Sequence, residues 1–480
     1  MIEIGVNKLK KIASNFIYQS LYQVLIIIMP IITVPVVSRA LGPKELGIYS
    51  YVNSITSYFV MVAGLGLAVY AAREIARVRD NFYDLSKRFW EIQVFNMIIA
   101  SIVLIIFFFA TRFMRYSEFY NIQSLVIIGT FLDITWFYTG TEDFKKIAIA
   151  NTIIKLFTFI LILLFIKESN DLSKYFYIQS SSTLLSQVIL WGFIKNRITF
   201  VRVNIKSAFM HLFPALNYFI GKIAVQFYTT MNTTLLGVLG STTLVGYYTN
   251  AQKLSTIFIA IIGTLDTVML PQLTNLNEKG EEKEMIRLME TSLYLNLFVT
   301  IPAMFGIIAT NEKIVSWFFG EKFEFVKVIT PLLAPLIMII PLGTAINRQY
   351  LIPRGKIKEL NISLICGAIS GFTLNLILIP LFGIYGSVVA TLASQLLVTG
   401  YRLIKLYQET SFRYDLKFVT KILFASIVML TVIKLATNKM SATPGTTIIQ
   451  SILGLVTYFV LVTLLKVNPL IKILKGLKKS

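Results

Sequence analysis

The sequence predicts an all-α polytopic membrane protein with about 14 transmembrane helices. The first observation is composition: of 480 residues, 56% are hydrophobic and 14% are charged, whereas about a quarter of a soluble domain is charged. The second is the mean hydropathy of +0.72. The third is that apolar stretches of about 20 residues, the length that crosses a bilayer, recur along the whole chain.

Fourteen apolar stretches separated by short polar loops are predicted as membrane helices. They are residues 14–37, 46–70, 89–110, 121–140, 147–166, 176–194, 211–237, 244–270, 291–310, 329–351, 361–380, 384–404, 418–436 and 447–466. The first stretch is too long for a signal-peptide core and lacks a small-residue cleavage site, which predicts an uncleaved helix. Leu41-Gly42-Pro43 predicts the break after it, because glycine permits unusual backbone angles and proline lacks a backbone donor.

Lys and Arg residues concentrate in alternate loops. With the N-terminus placed in the cytoplasm, the inside segments contain 27 basic residues and the outside loops contain 10. This asymmetry follows the positive-inside rule and predicts a multi-pass protein with both termini cytoplasmic. It also explains the net charge of +21 without a nucleic-acid partner.

A weak internal repeat predicts how the helices are grouped. Asn15…Gln23…Leu41-Gly42…Gly47-Ile-Tyr-Ser50 resembles Asn217…Gln226…Leu239-Gly240…Gly246-Tyr-Tyr-Thr249, at an offset of about 200 residues. Six helices per repeat is an even number, so both repeats enter the membrane in the same sense. The predicted domains are residues 1–200 with helices 1–6, 201–404 with helices 7–12, and 405–480 with helices 13–14 and a basic cytoplasmic tail.

Charged side chains deep inside the predicted spans are Lys155, Lys222, Lys253, Asp133 and Asp266. Such groups are costly in a bilayer and are functional candidates. The excess of bases predicts a basic cavity, which suits phosphate or pyrophosphate. Asp133 has two interpretations: it carries a coupled proton or sodium ion, or it forms a structural bridge with Lys155 on the next helix. Asp266, near a predicted helix end, is interpreted as solvated there.

Three motifs then suggest a family. Pro35–Ser50 (PVVSRALGPKELGIYS), Leu351–Lys356 (LIPRGK) and Asn375–Thr391 (NLILIPLFGIYGSVVAT) resemble segments of Wzx-type lipid-linked oligosaccharide flippases, polysaccharide transporters of the MOP superfamily. Phe319–Phe323 (FGEKF) is similar too. The resemblance covers nearly the full chain and implies two six-helix lobes in a V around a central cavity that opens to alternate sides.

The resemblance also implies the cargo and the site. The cargo is an undecaprenyl-diphosphate-linked repeat unit, moved from the inner to the outer leaflet of the plasma (inner) membrane for capsule, exopolysaccharide or O-antigen synthesis. Because cavities of the family are basic and hold the diphosphate, Arg39, Lys222 and Lys253 are the implied ligands. Gln226 and Asn15, on polar helix faces, complete the expected substrate-binding set. Membrane lipid surrounds the protein, and a polysaccharide polymerase and glycosyltransferases are the implied partners.

Two alternatives remain. A drug or organic-cation antiporter of the same superfamily would need an acidic cavity, and the bases inside the spans outnumber the acids. A membrane glycan polymerase or glycosyltransferase would need a large outside loop with acidic catalytic residues. The longest such loop is residues 311–328, and the sequence contains neither Asp-x-Asp nor a Gly-x-x-x-x-Gly-Lys phosphate loop. We therefore expect no enzyme activity, no cofactor and no metal.

Overall fold

The computed structural model describes residues 2–469, without the side chains at positions 2–13, 16, 17, 20, 27, 220, 221, 224 and 261. The chain divides into two compact units that meet between Thr230 and Met231. The predicted tail at 470–480 lies outside the described residues. Each unit is described by itself, and the predicted lobe limits at 200 and 404 stay predictions.

All regular elements in the described residues are helices. The first unit contains α1 Ile2–Gly64, α2 Leu67–Val78, α3 Phe82–Thr111, α4 Ser117–Phe131, α5 Thr135–Gly140, α6 Phe144–Phe165, α7 Leu172–Phe193 and α8 Ile205–Phe209, and α9 Leu212–Leu239 begins in it. The second unit contains α10 Thr242–Glu278, α11 Glu282–Phe319, α12 Val326–Leu333, α13 Leu336–Ile346, α14 Ile357–Phe382, α15 Ile384–Glu409, α16 Leu416–Thr437 and α17 Pro444–Leu464.

Every predicted span overlaps one of these helices, and the all-α membrane class is confirmed. Within the described residues, 11 helical segments are long and apolar enough to cross a membrane. One of them, Leu21–Val78, includes residues 21–37 of the first predicted span and all of the second, whereas α7 and α9 are not among the 11. The count of 14 therefore stays a prediction. The predicted break is confirmed at Gly42, whose backbone angles (φ 84°, ψ 176°) separate two helices inside α1.

The first unit has an aromatic core between α3 and α5. Phe89 is fully buried, and its ring centroid lies 5.3 Å from that of Trp136 and 5.4 Å from that of Phe137. A second close approach joins α9 to the break between α1 and α2. Gly66 has a φ of +74°, and a Cβ there would lie 2.7 Å from the carbonyl oxygen of Ala215. Only glycine permits both this backbone conformation and this close contact. The contact places the start of α9 against the junction of α1 and α2.

The second unit is built around two tight groups of helices. The close pair is α14 and α15, where a Cβ at Gly386 would lie 2.1 Å from the carbonyl oxygen of Leu378. The other group is α11 with α16 and α17, where the Tyr458 hydroxyl donates to the carbonyl oxygen of Phe298 over 2.7 Å. A single π-helical turn, Asn347–Leu351, follows α13. Turns of this kind are rare and often lie at functional sites.

Candidate functional site

A cavity of about 660 Å³ lies inside the first unit. Its walls come from α1, α2, α3, the interrupted pair α4–α5 and the first half of α9. The lining residues are Ser57, Val60, Met61, Gly64, Leu67, Ala68, Asn96, Thr130, Asp133, Trp136, Tyr218, Lys222, Val225 and Gln226. Among them, Asp133 is the acidic residue and Lys222 the basic one.

The interruption between α4 and α5 forms one wall of this cavity. The helix stops at Phe131 and resumes at Thr135, so several backbone groups lose their helical partners. Side chains from other helices replace them. Asn96 of α3 donates to the carbonyl oxygens of Thr130 (2.9 Å) and Phe131 (3.3 Å), and Trp191 of α7 donates to that of Leu132 (2.8 Å). Non-helical backbone is tolerated in a membrane where it is satisfied in this way and borders a cavity.

Asp133 lies in the interruption itself and is partly buried. Its Oδ1 accepts hydrogen bonds from the backbone nitrogen of Thr135 (2.8 Å) and from the Thr135 hydroxyl (2.6 Å). The basic group that interacts electrostatically with it is Lys222 of α9. Discontinuous membrane helices with polar groups at the break are a common form of transporter site.

Lys222 and Gln226 lie one turn apart on α9 and both line the cavity. The Gln226 amide donates to Ser57 Oγ (2.9 Å) and to Thr230 Oγ1 (2.7 Å), which ties α9 to α1. Lys222 is half-buried. The ion pairs of the described residues do not include one between Lys222 and Asp133, so the two charges act on each other at longer range. An ionised Asp133 lowers the attraction of Lys222 for an anion in the same cavity.

The other expected site residues of the first unit lie outside this cavity. The Asn15 amide donates to the carbonyl oxygen of Glu142 (2.8 Å), and its Oδ1 accepts from the backbone nitrogen of Lys145 (3.1 Å), so both ends of the side chain hold a turn. Arg39 is exposed and does not line the cavity. Lys155 is also exposed, on α6, and the described contacts of Asp133 do not include it. The structural bridge expected between Asp133 and Lys155 is therefore not seen.

Two expected residues belong to the second unit. Lys253 is exposed on α10, and its Nζ donates to Asn250 Oδ1 over 3.1 Å. Asp266, interpreted from the sequence as solvated at a helix end, is instead completely buried. That interpretation is wrong because α10 continues to Glu278, about three turns beyond Asp266, and other helices cover its side chain.

Sequence reasoning missed four polar or aromatic residues of the cavity: Asn96, Thr130, Trp136 and Tyr218. Asn96 carried a usable signal, since it is an amide inside an apolar span. Tyr218 and Trp136 carried none, because aromatic residues are common in membrane helices. The tyrosine hydroxyl accepts from Arg73 Nη1 over 2.9 Å.

Comparison with known proteins gives a family match. The sequence profile described as "Polysaccharide biosynthesis protein" matches residues 12–277, more than half of the chain. A "Putative O-antigen transporter" of Escherichia coli (strain K12) is 22% identical over 408 residues, which cover 83% of this chain and 97% of that protein. A "Probable low-salt glycan biosynthesis flippase Agl15" of Haloferax volcanii is 26% identical over 214 residues, or 43% of each chain.

Two solved structures show the same fold. One, titled "Lipid II flippase MurJ, inward closed conformation", has a TM-score of 0.72 at 17% identity and covers 94% of this chain and 98% of its own. The other, an inward-facing multidrug resistance MATE family transporter of the MOP superfamily, has a TM-score of 0.59 at 14% identity and covers 80% and 96%. At these identities the similarity establishes the fold and leaves the cargo to be argued from the site.

Proposed function

Since this chain belongs to the polysaccharide biosynthesis protein family, we propose that it is a flippase for lipid-linked oligosaccharides. The observation that carries the proposal is Lys222, a lysine on α9 that lines a cavity beside an interrupted helix. Relatives named as an O-antigen transporter and as a glycan flippase support the cargo class. The step is transport without covalent chemistry.

The finer parts of the proposal concern cargo and direction. The cargo is an undecaprenyl-diphosphate-linked repeat unit, which moves from the inner to the outer leaflet of the plasma membrane by alternating access between two six-helix lobes. Both termini are cytoplasmic, as the distribution of basic residues predicts. Glycosyltransferases supply the cargo and a polymerase consumes it. Arg39 and Lys253 remain proposed diphosphate ligands, and Gln226 and Asn15 remain proposed members of the substrate-binding set.

Asp133 and Lys222 suggest how cargo and ion are coupled. With Asp133 ionised, its negative charge opposes a diphosphate that approaches Lys222. A proton or sodium ion on Asp133 removes that repulsion, so binding of the cation and binding of the diphosphate favour each other. Lys222 takes the place that the sequence analysis gave to Lys155.

The membrane potential supplies part of the drive. A diphosphate diester carries about two negative charges, and outward movement from a negative interior is electrically downhill. At about 2.3 kcal/mol per charge per 100 mV, two charges gain roughly 4–5 kcal/mol. Lys222 must stay in place while the diphosphate crosses, because a co-moving lysine would cancel part of this gain.

The proposal is tested in proteoliposomes that contain the purified chain and a prenyl-diphosphate-linked oligosaccharide labelled on its sugar. We expect protein-dependent transfer of the label between leaflets, measured as loss of accessibility to an impermeant quencher. A fluorescent organic cation is the comparison cargo, and empty vesicles are the control. Efflux of the cation without transfer of the glycan lipid would favour the antiporter instead.

A further inference from the structure

The second unit contains a buried carboxylic acid that the proposed transport step does not use. Asp266 of α10 has no exposed surface. Its Oδ1 accepts a hydrogen bond of 2.7 Å from the Gln349 amide nitrogen, which also donates to Ser292 Oγ over 2.9 Å. Gln349 lies in the π-helical turn after α13 and is itself completely buried.

Two oxygens of this pair lack a partner. In the described part of the chain, neither Asp266 Oδ2 nor Gln349 Oε1 has a hydrogen-bond partner. Both hydrogens of the Gln349 amide are already donated, one to Asp266 and one to Ser292. If Asp266 is ionised, two adjacent buried groups therefore present acceptor atoms with no donor between them, which is unfavourable in a membrane interior.

A proton on Asp266 would give both unpaired oxygens, Asp266 Oδ2 and Gln349 Oε1, a hydrogen-bond partner. A carboxylic acid has a donor as well as an acceptor. It can therefore pair with a primary amide through two hydrogen bonds, one in each direction. The first, from the Gln349 nitrogen to Asp266 Oδ1, is present. The second would run from a protonated Asp266 Oδ2 to Gln349 Oε1, which joins the two atoms that lack partners.

Among the described residues, no neighbouring charged side chain donates a hydrogen bond to Asp266 Oδ2. In the described residues, the charged group that acts on Asp266 is Arg348 of the same π-helical turn, whose Nη1 donates to Thr267 Oγ1 over 2.5 Å. From α11 the contact is the neutral Ser292, and α13 has no titratable residue. The neighbouring Tyr350 directs its hydroxyl to Glu409.

We propose that Asp266 and Gln349 form a proton-binding site in the second unit, with the proton held on Asp266 Oδ2 and shared with Gln349 Oε1. The site is distinct from the cavity of the first unit and does not depend on the nature of the cargo. It lies toward the end of α10 that the basic-residue count predicts to be cytoplasmic.

The test is infrared difference spectroscopy of the full-length protein in lipid nanodiscs, as the pH is raised in sodium-free buffer. We expect the carbonyl band of a protonated carboxylic acid, shifted in deuterium oxide, to disappear as the pH rises. Asp266→Asn should abolish the part of this band that belongs to Asp266, and only a part from the proton proposed on Asp133 should remain. This variant should fold, because asparagine offers the donor and the acceptor of the protonated acid in similar positions. Asp133→Asn is the matched control and should retain the band.

Two further variants sharpen the result. Gln349→Leu should shift the frequency of the band, because the acid loses its amide partner. Arg348→Gln should raise the pH at which the band is half lost by about one unit, since a nearby positive charge favours the ionised form. Melting temperature gives an independent readout: that of the wild type should fall as the proton is lost, relative to Asp266→Asn.

Two outcomes would overturn the proposal. A band that persists unchanged in Asp266→Asn would mean that this carboxyl group is not protonated in the folded protein. Loss of the band when sodium is added at constant pH would make the occupant a metal cation instead of a proton.

Discussion

The fourth and the tenth predicted spans, one in each unit, are both interrupted, but for different physical reasons. In the second unit, α12 and α13 separate at Ala334-Pro335, where proline lacks a backbone donor. The following nitrogens bond locally, as Ile337 does to the carbonyl oxygen of Ala334 over 2.9 Å. The interruption Leu132–Ile134 of the first unit contains no proline and depends on side chains from α3 and α7.

This difference is accompanied by a difference in where each unit places an acidic side chain. The break whose carbonyl groups accept from distant side chains leaves Asp133 facing a cavity together with Lys222. The buried acid of the second unit, Asp266, is instead enclosed beside a π-helical turn. The first unit therefore has an acid at the surface of a cavity, and the second unit has an acid buried among packed helices. The predictions below test that contrast.

The largest expected effect is at Lys222. Lys222→Gln should weaken binding of the diphosphate lipid by about ten-fold or more, because a charge-assisted contact contributes about 1.5–3 kcal/mol. Binding to purified protein in nanodiscs measures it, and Lys222→Arg should restore much of the affinity. Lys155→Gln, a lysine exposed on α6, is the comparison and should change binding little. Equal losses in both variants would mean that Lys222 has no special part in binding the diphosphate.

The second prediction concerns the two interruptions. Asn96→Leu removes the side-chain donor to the Thr130 carbonyl and should lower the free energy of unfolding by about 1–3 kcal/mol. Pro335→Ala should change it by less than about 1 kcal/mol, because the neighbouring groups of that break are satisfied by their own backbone. Thermal unfolding in detergent compares the variants. A larger effect at Pro335 than at Asn96 would contradict the distinction between distant and local support.

The same distinction explains what the sequence could predict. Helix positions and the break at Gly42 depend on local hydropathy and on glycine and proline, and they agree with the structure. The break at Leu132–Ile134 lies in an apolar run, and its causes, such as Asn96 and Trp191, are about 40–60 residues away in the chain. Pro335 indicates the other break in the sequence itself, although the prediction from hydropathy treats residues 329–351 as one uninterrupted span.

The partner of Asp133 was missed for a related reason. Adjacency in sequence favoured Lys155, on the next helix of the chain. The structure instead packs the first half of α9, which belongs to the first unit, against the junction of α1 and α2, where the left-handed Gly66 makes room for its backbone. Contacts between helices so far apart in the chain depend on packing that hydropathy and spacing do not specify.

The third prediction separates the two acids. Asp133→Asn should tighten diphosphate binding by about three-fold and reduce its dependence on pH and sodium, because it removes a negative charge near Lys222. Asp266→Asn should leave that affinity unchanged, since its carboxyl group is buried within the second unit and is not part of the cavity. Titrations of lipid binding at two pH values measure both. Weaker binding in Asp133→Asn would mean that the carboxylate helps to hold the cargo.

The smallest expected effect is at Lys253, the lysine that the second unit contributes to the proposed diphosphate ligands. The residue is exposed as a whole and its Nζ already donates to Asn250 Oδ1, so we expect it to gain less from a phosphate than the half-buried Lys222 does. Lys253→Gln should weaken binding by about two-fold at low salt, and added salt should remove most of that difference by screening. The loss in Lys222→Gln should persist in salt, because a partly buried contact is screened less. Arg39→Gln, another exposed base, is the matched comparison and should behave like Lys253→Gln. If Lys253→Gln costs as much as Lys222→Gln and its effect survives salt, Lys253 holds the diphosphate as strongly as Lys222 does, and charge recognition is not concentrated beside the interrupted helix.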